Sequence, residues 1–251
     1  MPSIYSRIDE LKSKLYSMRP LNPSELRRIH EEFMLENTYD SNAIEGNSLT
    51  LRETTLVLKE GLTIAGKPLK DHLEVVGHKN AFEMVDKLSQ LEQSLDEETI
   101  LSIHSLVLLN DNDNRGKYRE VQVMLMGSDS TLPPPSAVPQ KMRDLLNWYF
   151  LLEPNSTEQV IQAIAKFHLD FEGVHPFIDG NGRTGRLIMN LELMKHGLLP
   201  ITIKFTDKHL YYGCFPDYEK TGSTEMLKYL IAKYEMEELE KRINLLEPKL
   251  Q

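Results

Sequence analysis

Residues 175–186 read HPFIDGNGRTGR, and this stretch decides how the rest of the chain is interpreted. Gly180 and Gly182 let the backbone approach an anion closely, because neither carries a Cβ atom. Arg183 and Arg186 lie three residues apart, so on a helix their guanidinium groups share one face and can bind neighbouring phosphates. The stretch therefore predicts a phosphate-binding loop at the beginning of a helix, where backbone N–H groups also attract anions.

Two titratable side chains in the same stretch complete a site for group transfer. Histidine ionises near neutral pH, so His175 suits a general base that takes a proton from a hydroxyl group. Asp179 offers hard oxygen ligands, which Mg²⁺ prefers when it bridges the phosphates of a nucleotide. The other seven of the eight histidines, including His168, are expected to be structural or solvated. The sequence thus predicts one base and one metal ligand beside an anion site.

Most of the chain has helical periodicity. Before the motif, apolar residues recur at steps of three and four between Val160 and Val174, and the same spacing continues after it from Leu187 to Leu198. The fold class that this pattern predicts is all-α. Further helices are expected near residues 4–18, 23–36, 51–60, 71–90, 96–110, 138–152 and 225–246.

Residues 118–126 do not have helical periodicity. Val121 and Leu125 belong to an alternation of apolar and other residues with a period of two, which predicts a strand. Residues 127–130, GSDS, predict a turn, and the three prolines at 133–135 prevent a long second strand. The sequence thus predicts a short β-hairpin with an exposed edge on a helical body.

Composition and charge exclude several function classes. The 251 residues, 40% hydrophobic and 27% charged, are typical of a soluble globular protein. The formal net charge of −9 argues against a nucleic-acid partner, because phosphate backbones bind clustered positive charge. The single cysteine, Cys214, cannot form an internal disulfide and indicates a reducing compartment. Since no apolar run suits a signal peptide or a membrane helix, a cytoplasmic protein with no membrane partner is expected.

The motif resembles, position for position, the HPFx[D/E]GNGRxxR signature of Fic-domain proteins, a family of protein adenylyltransferases. The resemblance implies a Fic-type helical bundle with a β-hairpin flap near residues 115–139. It also implies transfer of AMP from the substrate ATP to a Ser, Thr or Tyr hydroxyl of a target protein that docks on the flap. In that scheme His175 deprotonates the acceptor and Asp179 holds Mg²⁺. The phosphate chain is bound by the residues of the GNGRxxR segment: Gly180, Asn181, Gly182, Arg183 and Arg186.

Two further segments match positions of the family. Tyr211 and Phe215 correspond to residues that flank the adenine ring, although phenylalanine replaces the more usual leucine, and plain core packing is the alternative for this pair. Residues 41–46, SNAIEG, fit the family's inhibitory pattern [S/T]xxxE[G/N]. The resemblance therefore implies N-terminal helices over residues 1–65 that include an inhibitory helix at about 38–47, followed by a Fic core over 66–251 with the flap and a C-terminal helix.

In the implied mechanism of inhibition, Glu45 pairs with Arg186 and occupies the guanidinium that the γ-phosphate needs. Ser41 and Gly46 are the other fixed positions of the inhibitory pattern. A solvated Glu45 without this role is the plainer alternative.

Three other questions stay open at the level of sequence. Glu45 could instead orient a water molecule that removes AMP from a modified protein, which would make the enzyme bifunctional or mainly a hydrolase. The chain could also be a non-catalytic nucleotide-sensing module. The oligomeric state is likewise open, and a homodimer contact that braces the inhibitory helix would be a natural point of control.

Overall fold

A computed structural model describes residues 3–124 and 131–247 of the chain. Every regular element in these ranges is helical, in agreement with the predicted all-α fold class, and two of them are short 3-10 turns at Pro135–Ala137 and Phe205–Asp207. None of the described helices is both long and apolar enough to cross a membrane. The α-helices are α1 (Ile4–Ser17), α2 (Pro23–Ile44), α3 (Leu51–Glu60), α4 (Leu69–Ser89), α5 (Glu97–Val107), α6 (Val138–Phe150), α7 (Thr157–Val174), α8 (Asn181–Lys195), α9 (Lys208–Thr221) and α10 (Glu225–Leu246).

Side-chain caps fix where α2 and α3 begin. Asn22 accepts the backbone N–H of Glu25, and the Glu25 carboxylate accepts the backbone N–H of Asn22 in return. Pro23 occupies the first helical position, where its missing N–H costs nothing. Thr50 and Glu53 form the same reciprocal box at the start of α3. These local signals explain why the predicted helix starts near 23 and 51 are confirmed.

Helix α2 is longer than the sequence predicts. A helix over 23–36 and a separate inhibitory helix at about 38–47 are expected, but one continuous helix runs over Pro23–Ile44. It ends at Ile44, and the chain turns away at Glu45 and Gly46, where Gly46 takes a positive φ of 94°. The second half of α2 lacks a clear apolar period because four polar side chains there are buried. Each is bound to another part of the fold: Asn37, Thr38, Ser41 and Asn42.

Helices α7 and α8 lie at the centre of the fold. Their side chains are buried on most sides, in contrast to a surface helix with a single apolar stripe. On one side Ile161 and Leu193 pack with α1, α9 and α10, and on the other Phe167 and Leu191 pack with α2, α4, α5 and α6. The turn at 175–180 is therefore anchored at both ends in core helices.

The predicted β-hairpin is not confirmed in the described residues. Residues 118–124 and 131–134 belong to no strand, and the predicted turn at 127–130 lies outside the described residues. Side-chain hydrogen bonds still join the two arms: Gln122 Nε2 donates to the Leu132 carbonyl oxygen at 3.2 Å, and Arg119 Nη2 donates to that of Pro133 at 2.6 Å. The three consecutive prolines that follow lack N–H groups, so that arm cannot donate ladder hydrogen bonds there.

Glu235 is a fully buried carboxyl group on α10. Its two oxygens accept the N–H of Leu199 at 2.9 and 3.1 Å, just after α8. Burial raises the pKa of Glu235 to about 7, and the nearby charge of Glu238 acts in the same direction. The hydrogen bond from Leu199 and the charges of Lys12 and Arg242 lower it, but by less. Between the usual value of 4.5 and about 7, the folded protein therefore binds a proton that the unfolded chain has already lost.

We expect this carboxyl group to make the folded state less stable as the pH rises from about 5 to about 7, because in that window the unfolded chain has released the Glu235 proton while the folded protein still binds it. Glu235→Gln is neutral throughout, so its free energy of unfolding should fall less over the same range. Urea unfolding at several pH values checks this. Glu240→Gln, on an exposed position of the same helix, should keep the parent slope. An equal slope in Glu235→Gln and the parent would contradict the assignment.

Candidate active site

The loop between α7 and α8 contains two residues in the left-handed region. His175 directly follows α7 with a φ of 49°, the only positive φ of a non-glycine residue in the described ranges. Gly180 precedes α8 with a φ of 79°. A non-glycine residue in this region costs about 1–3 kcal/mol and persists where its surroundings enforce it, often at functional sites. These two left-handed residues turn the chain so that His175 and Gly182 both lie at the wall of one cavity.

Buried side chains hold this loop in place. The Asn181 amide accepts the N–H of Phe177 at 2.8 Å and donates to the Phe177 carbonyl oxygen at 2.9 Å. The His104 ring stacks on Phe177 at 3.6 Å, and its Nε2 lies 3.0 Å from the Asp179 carbonyl oxygen. Burial lowers the pKa of His104 to about 4, and Nδ1 accepts the Gly116 N–H, so Nε2 carries the proton. The Asn181 side chain, which the resemblance assigns to phosphate binding, is already hydrogen-bonded to the backbone of Phe177. Its backbone N–H remains available for an anion.

The N-terminus of α8 faces the cavity. The N–H groups of Asn181, Gly182 and Arg183 precede the first intrahelical bond, which Thr184 makes. A Cβ atom added at Gly182 would collide with Glu45 Oε1. The Glu45 carboxylate thus lies at the helix N-terminus, in a place that electrostatics favours for any anion.

Every nitrogen of the Arg186 guanidinium has an acceptor. Nε donates to Ser41 Oγ at 3.0 Å, and Nη2 donates to the Ser41 carbonyl oxygen at 2.9 Å and to Glu45 Oε1 at 2.8 Å. Nη1 donates to the Tyr211 hydroxyl at 3.3 Å. Burial alone would lower the pKa of Arg186, but Tyr211 and Glu45 outweigh that effect, so the pKa is raised above its usual value. The structure thus contains the ion pair that the inhibitory pattern implies, while its inhibitory role stays a prediction.

Arg183 and Asp179 form a second ion-pair group. Arg183 is fully buried, with Nη1 3.1 Å from Glu74 Oε1 and Nη2 3.2 Å from Asp179 Oδ1. Burial would raise the pKa of Asp179, but Arg183, the Gly180 N–H and Lys70 together lower it. The Asp179 side chain is about half exposed, at 49%, so an ionised carboxylate faces the solvent beside the anion site.

The described residues contain no group of three or more His, Cys, Asp or Glu side chains that could hold a metal ion. Asp179 supplies a single carboxylate, and its Oδ1 already accepts the Gly180 N–H at 2.6 Å. Mg²⁺ bound to a nucleotide takes most of its ligands from phosphates and water and needs only one or two protein carboxylates. These residues therefore fit an ion that arrives with a nucleotide and do not fit a resident metal centre.

A cavity of about 1230 Å³ opens beside this loop, a volume large enough for a nucleotide. Tyr211 and Phe215 form part of its wall, with their rings edge to face at 5.1 Å. Tyr211 is fully buried and Phe215 only partly, so core packing explains Tyr211 better than Phe215. Other residues of the wall come from the flap arm, α6, α7 and α9: Leu132, Pro133, Trp148, Asp170 and Tyr218.

His168 packs α7 against α8 and α9. It is fully buried, and burial lowers its pKa to about 4, so the ring is neutral. Its Nε2 lies 2.8 Å from the Tyr211 hydroxyl, within hydrogen-bond distance. Gly185 permits the close approach, since a Cβ there would lie 2.9 Å from the ring. This packing agrees with the structural role that the sequence predicts for His168.

Arg119 is a buried guanidinium that sequence analysis does not identify. Its Nε donates to the His175 carbonyl oxygen at 2.8 Å, and its backbone N–H donates to the Pro176 carbonyl oxygen at 2.9 Å. Nη2 donates to the Pro133 carbonyl oxygen at 2.6 Å and Nη1 to that of Val121 at 3.3 Å. Arg119 therefore ties both arms of the flap to the strained turn at His175.

We expect Arg119→Met to lower the free energy of unfolding by about 2–4 kcal/mol, because it removes the donor of part-buried hydrogen bonds to the carbonyl oxygens of His175, Pro133 and Val121. Methionine keeps an apolar chain of similar length, so the loss reports mainly on hydrogen bonds. Urea unfolding monitored by circular dichroism checks this. Arg143→Met, at an exposed position of α6, is the control and should unfold as the parent does. An unchanged midpoint in Arg119→Met would contradict the importance of these bonds.

Comparisons with known proteins agree with this geometry. The model of the Fic/DOC family matches residues 94–193. Protein adenylyltransferase Fic of Nematostella vectensis is 36% identical over 82% of this chain and 48% of its own length. A Fic domain containing signaling protein from Bacteroides thetaiotaomicron has a TM-score of 0.84 at 27% identity, covering 95% of this chain and 96% of that one. Fic-1 of Caenorhabditis elegans has a TM-score of 0.81 at 26% identity, covering 96% of this chain and 70% of that one.

The chain spans about half the length, or less, of the curated relatives that it matches, for example 48% and 37%. The region that the family model matches nevertheless includes the whole loop between α7 and α8, together with His175, Asp179, Arg183 and Arg186. The motif at 175–186, the helical bundle that holds it and the similarity over most of the chain agree. The chain contains a domain of the Fic/DOC family.

Proposed function

We propose that this chain is a protein adenylyltransferase that transfers AMP from ATP to a Ser, Thr or Tyr hydroxyl of a target protein. The observation that carries the proposal is the shared cavity, whose wall contains His175, the N-terminus of α8 at Gly182, and Arg186. A base and a set of phosphate-binding groups therefore face the same space. Curated relatives named protein adenylyltransferase Fic support the same activity.

In the proposed reaction, the acceptor hydroxyl gives its proton to Nε2 of His175 while its oxygen forms a bond to the α-phosphorus of ATP. The bond from that phosphorus to the bridging oxygen breaks, and pyrophosphate leaves with the electron pair. The N–H groups at 181–183 and the guanidinium groups of Arg183 and Arg186 offset the phosphate charge. Mg²⁺, when held by Asp179 and the phosphates, supplies further charge neutralisation.

The described conformation is proposed to be inhibited. Arg186 is occupied by Glu45 and Ser41, and a γ-phosphate that needs the same guanidinium has to displace Glu45. The chain after Glu45 is also held, because Asn47 Nδ2 donates to Glu74 Oε2 at 2.9 Å. Activation on this model requires the end of α2 to move away from Arg186.

Target capture is proposed to use the flap, residues 115–139. Val121 and Met124 are 53% and 90% exposed, so the described first arm presents apolar side chains to a partner. An extended target segment that pairs with this arm would gain main-chain hydrogen bonds without a strict sequence requirement. The neighbouring cavity would then receive the hydroxyl group to be modified.

Removal of AMP from a modified protein is the second candidate, because Glu45 lines the same cavity as His175 and could orient a water molecule there. An AMP-modified protein incubated with the parent and with Glu45→Gly separates the two activities. A hydrolase that uses Glu45 loses activity in the variant, whereas an inhibited transferase gains transfer activity.

The test of the proposed function is mass spectrometry of a cell lysate treated with ATP and Glu45→Gly protein. The expected result is AMP on Ser, Thr or Tyr residues of particular proteins, absent when the variant also carries His175→Ala. If both samples contain the same AMP-modified peptides, the chain is not the transferase.

A further inference from the structure

Glu172 is a carboxylate on α7, one helical turn before His175. Its side chain is only 12% exposed, and Oε2 lies 3.7 Å from His175 Nδ1. Positions i and i+3 on a helix face the same side, so the two groups meet by the geometry of α7 and its C-terminal turn. The carboxylate also lines the cavity that contains the imidazole.

Two of the atoms in this pair lack partners. His175 Nδ1 and Glu172 Oε1 are buried, and neither forms a hydrogen bond with any group of the described residues. A buried donor without an acceptor costs about 1–3 kcal/mol. The nearest carboxylate to His175 Nδ1 among the ion pairs of the described chain is Glu172.

The groups around Glu172 favour its charged form. Burial alone would raise the pKa of Glu172, but His175, His168 and Arg186 outweigh that effect and lower it. Tyr211 on α9 also faces this cluster and is neutral, because burial raises its pKa well above the usual value. Glu172 is therefore an anion close to the imidazole of His175.

The two carboxylate oxygens face different histidines. A Cβ added at Gly185 would lie 3.0 Å from both Glu172 Oε1 and His168 Nδ1, so Oε1 points to the side of α8 and His168. Oε2 is the oxygen on the side of His175. Since His168 Nε2 is engaged with Tyr211, His168 does not compete for Oε2 through that nitrogen.

We propose that Glu172 is the positioning residue of the general base: its Oε2 accepts the Nδ1–H of His175, so that Nε2 is the nitrogen free to take the proton of the acceptor hydroxyl. This inference rests on the proposed function of His175. The carboxylate also stabilises the imidazolium that forms when Nε2 is protonated. Hydrogen bonds of this kind are often long before substrate binds and shorten in the reactive complex, which is consistent with 3.7 Å.

The test compares Glu172→Gln with its parent in the Glu45→Gly background. The initial rate of AMP transfer at saturating ATP should fall by roughly tenfold to a hundredfold, part of the roughly 10²–10⁴ that a general base contributes. The dissociation constant of ATP should stay within about twofold, because the phosphate-binding groups are unchanged. Glu158→Gln, at an exposed position on the same helix, is the matched control and should keep the parent rate.

Nuclear magnetic resonance of the ring nitrogens of His175 gives a readout that a structural role would not change. The parent should hold the neutral imidazole with its proton on Nδ1, and Glu172→Gln should shift population to the Nε2–H tautomer. An unchanged tautomer, or an unchanged rate, in Glu172→Gln overturns the proposal. If the Glu45→Gly parent transfers no AMP, the proposed function fails, but the tautomer still decides whether Glu172 holds His175.

Discussion

His175→Ala in the Glu45→Gly background is expected to reduce protein AMP transfer by roughly 10²–10⁴, the usual contribution of a positioned general base. His175 is the only histidine among the described residues that line the cavity, so no second imidazole can replace it. ATP binding should change by less than about twofold, since the N–H groups at 181–183 and both arginines remain. Initial rates with ATP labelled at the α-phosphate, together with the dissociation constant of ATP, check both expectations.

The control for this substitution is His209→Ala, which removes an exposed imidazole from α9. It should transfer AMP at the rate of its Glu45→Gly parent. Transfer by His175→Ala at a similar rate would show that proton removal by this imidazole does not contribute, and the assignment of the base would fail.

Glu45→Gly is expected to raise AMP transfer by about tenfold to a hundredfold. A hydrogen bond to a charged group is worth about 1.5–3 kcal/mol, and each 1.4 kcal/mol is a factor of ten. Glycine frees the Arg186 guanidinium that Glu45 Oε1 holds at 2.8 Å. Glu45→Gln keeps an acceptor but loses the charge, so its rate should lie between those of the parent and Glu45→Gly. Initial rates of self-modification and of modification of a target protein measure this order.

Glu36→Gln is the matched control, because Glu36 is an exposed carboxylate on the same helix, paired with Lys241 at the surface. Its rate should equal that of the parent. Equal rates in the parent, Glu45→Gln and Glu45→Gly would remove the claim that the Glu45–Arg186 pair inhibits transfer, even though the pair itself is present in the structure.

Local signals in the sequence predict much of the fold. The starts of α2 and α3 follow from capping boxes that involve residues three positions apart, and such bonds form within one turn. Helix α9 carries weaker signals, because Gly213 and Pro216 lie inside it, and it is not among the predicted helices. The continuation of α2 is missed because its second half buries polar side chains whose partners are far away in the chain.

The difference between local contacts and contacts far apart in the chain also explains which site residues the sequence identifies. The HPFIDGNGRTGR stretch provides the base and the anion site within twelve consecutive residues. Arg119 and His104 contact this loop from 56 and 75 residues away, and no local pattern predicts such contacts. Glu172 is different, since a carboxylate three residues before the base on a predicted helix is a signal that can be read from the sequence.

One labelling experiment decides whether this cavity transfers AMP. Purified Glu45→Gly protein is incubated with Mg²⁺ and ATP that carries its label on either the α- or the γ-phosphate, and the protein-bound label is counted. AMP transfer requires incorporation from the α-labelled nucleotide only, lost when His175→Ala is added. Incorporation from the γ-labelled nucleotide, or no incorporation from either, would contradict the proposed reaction.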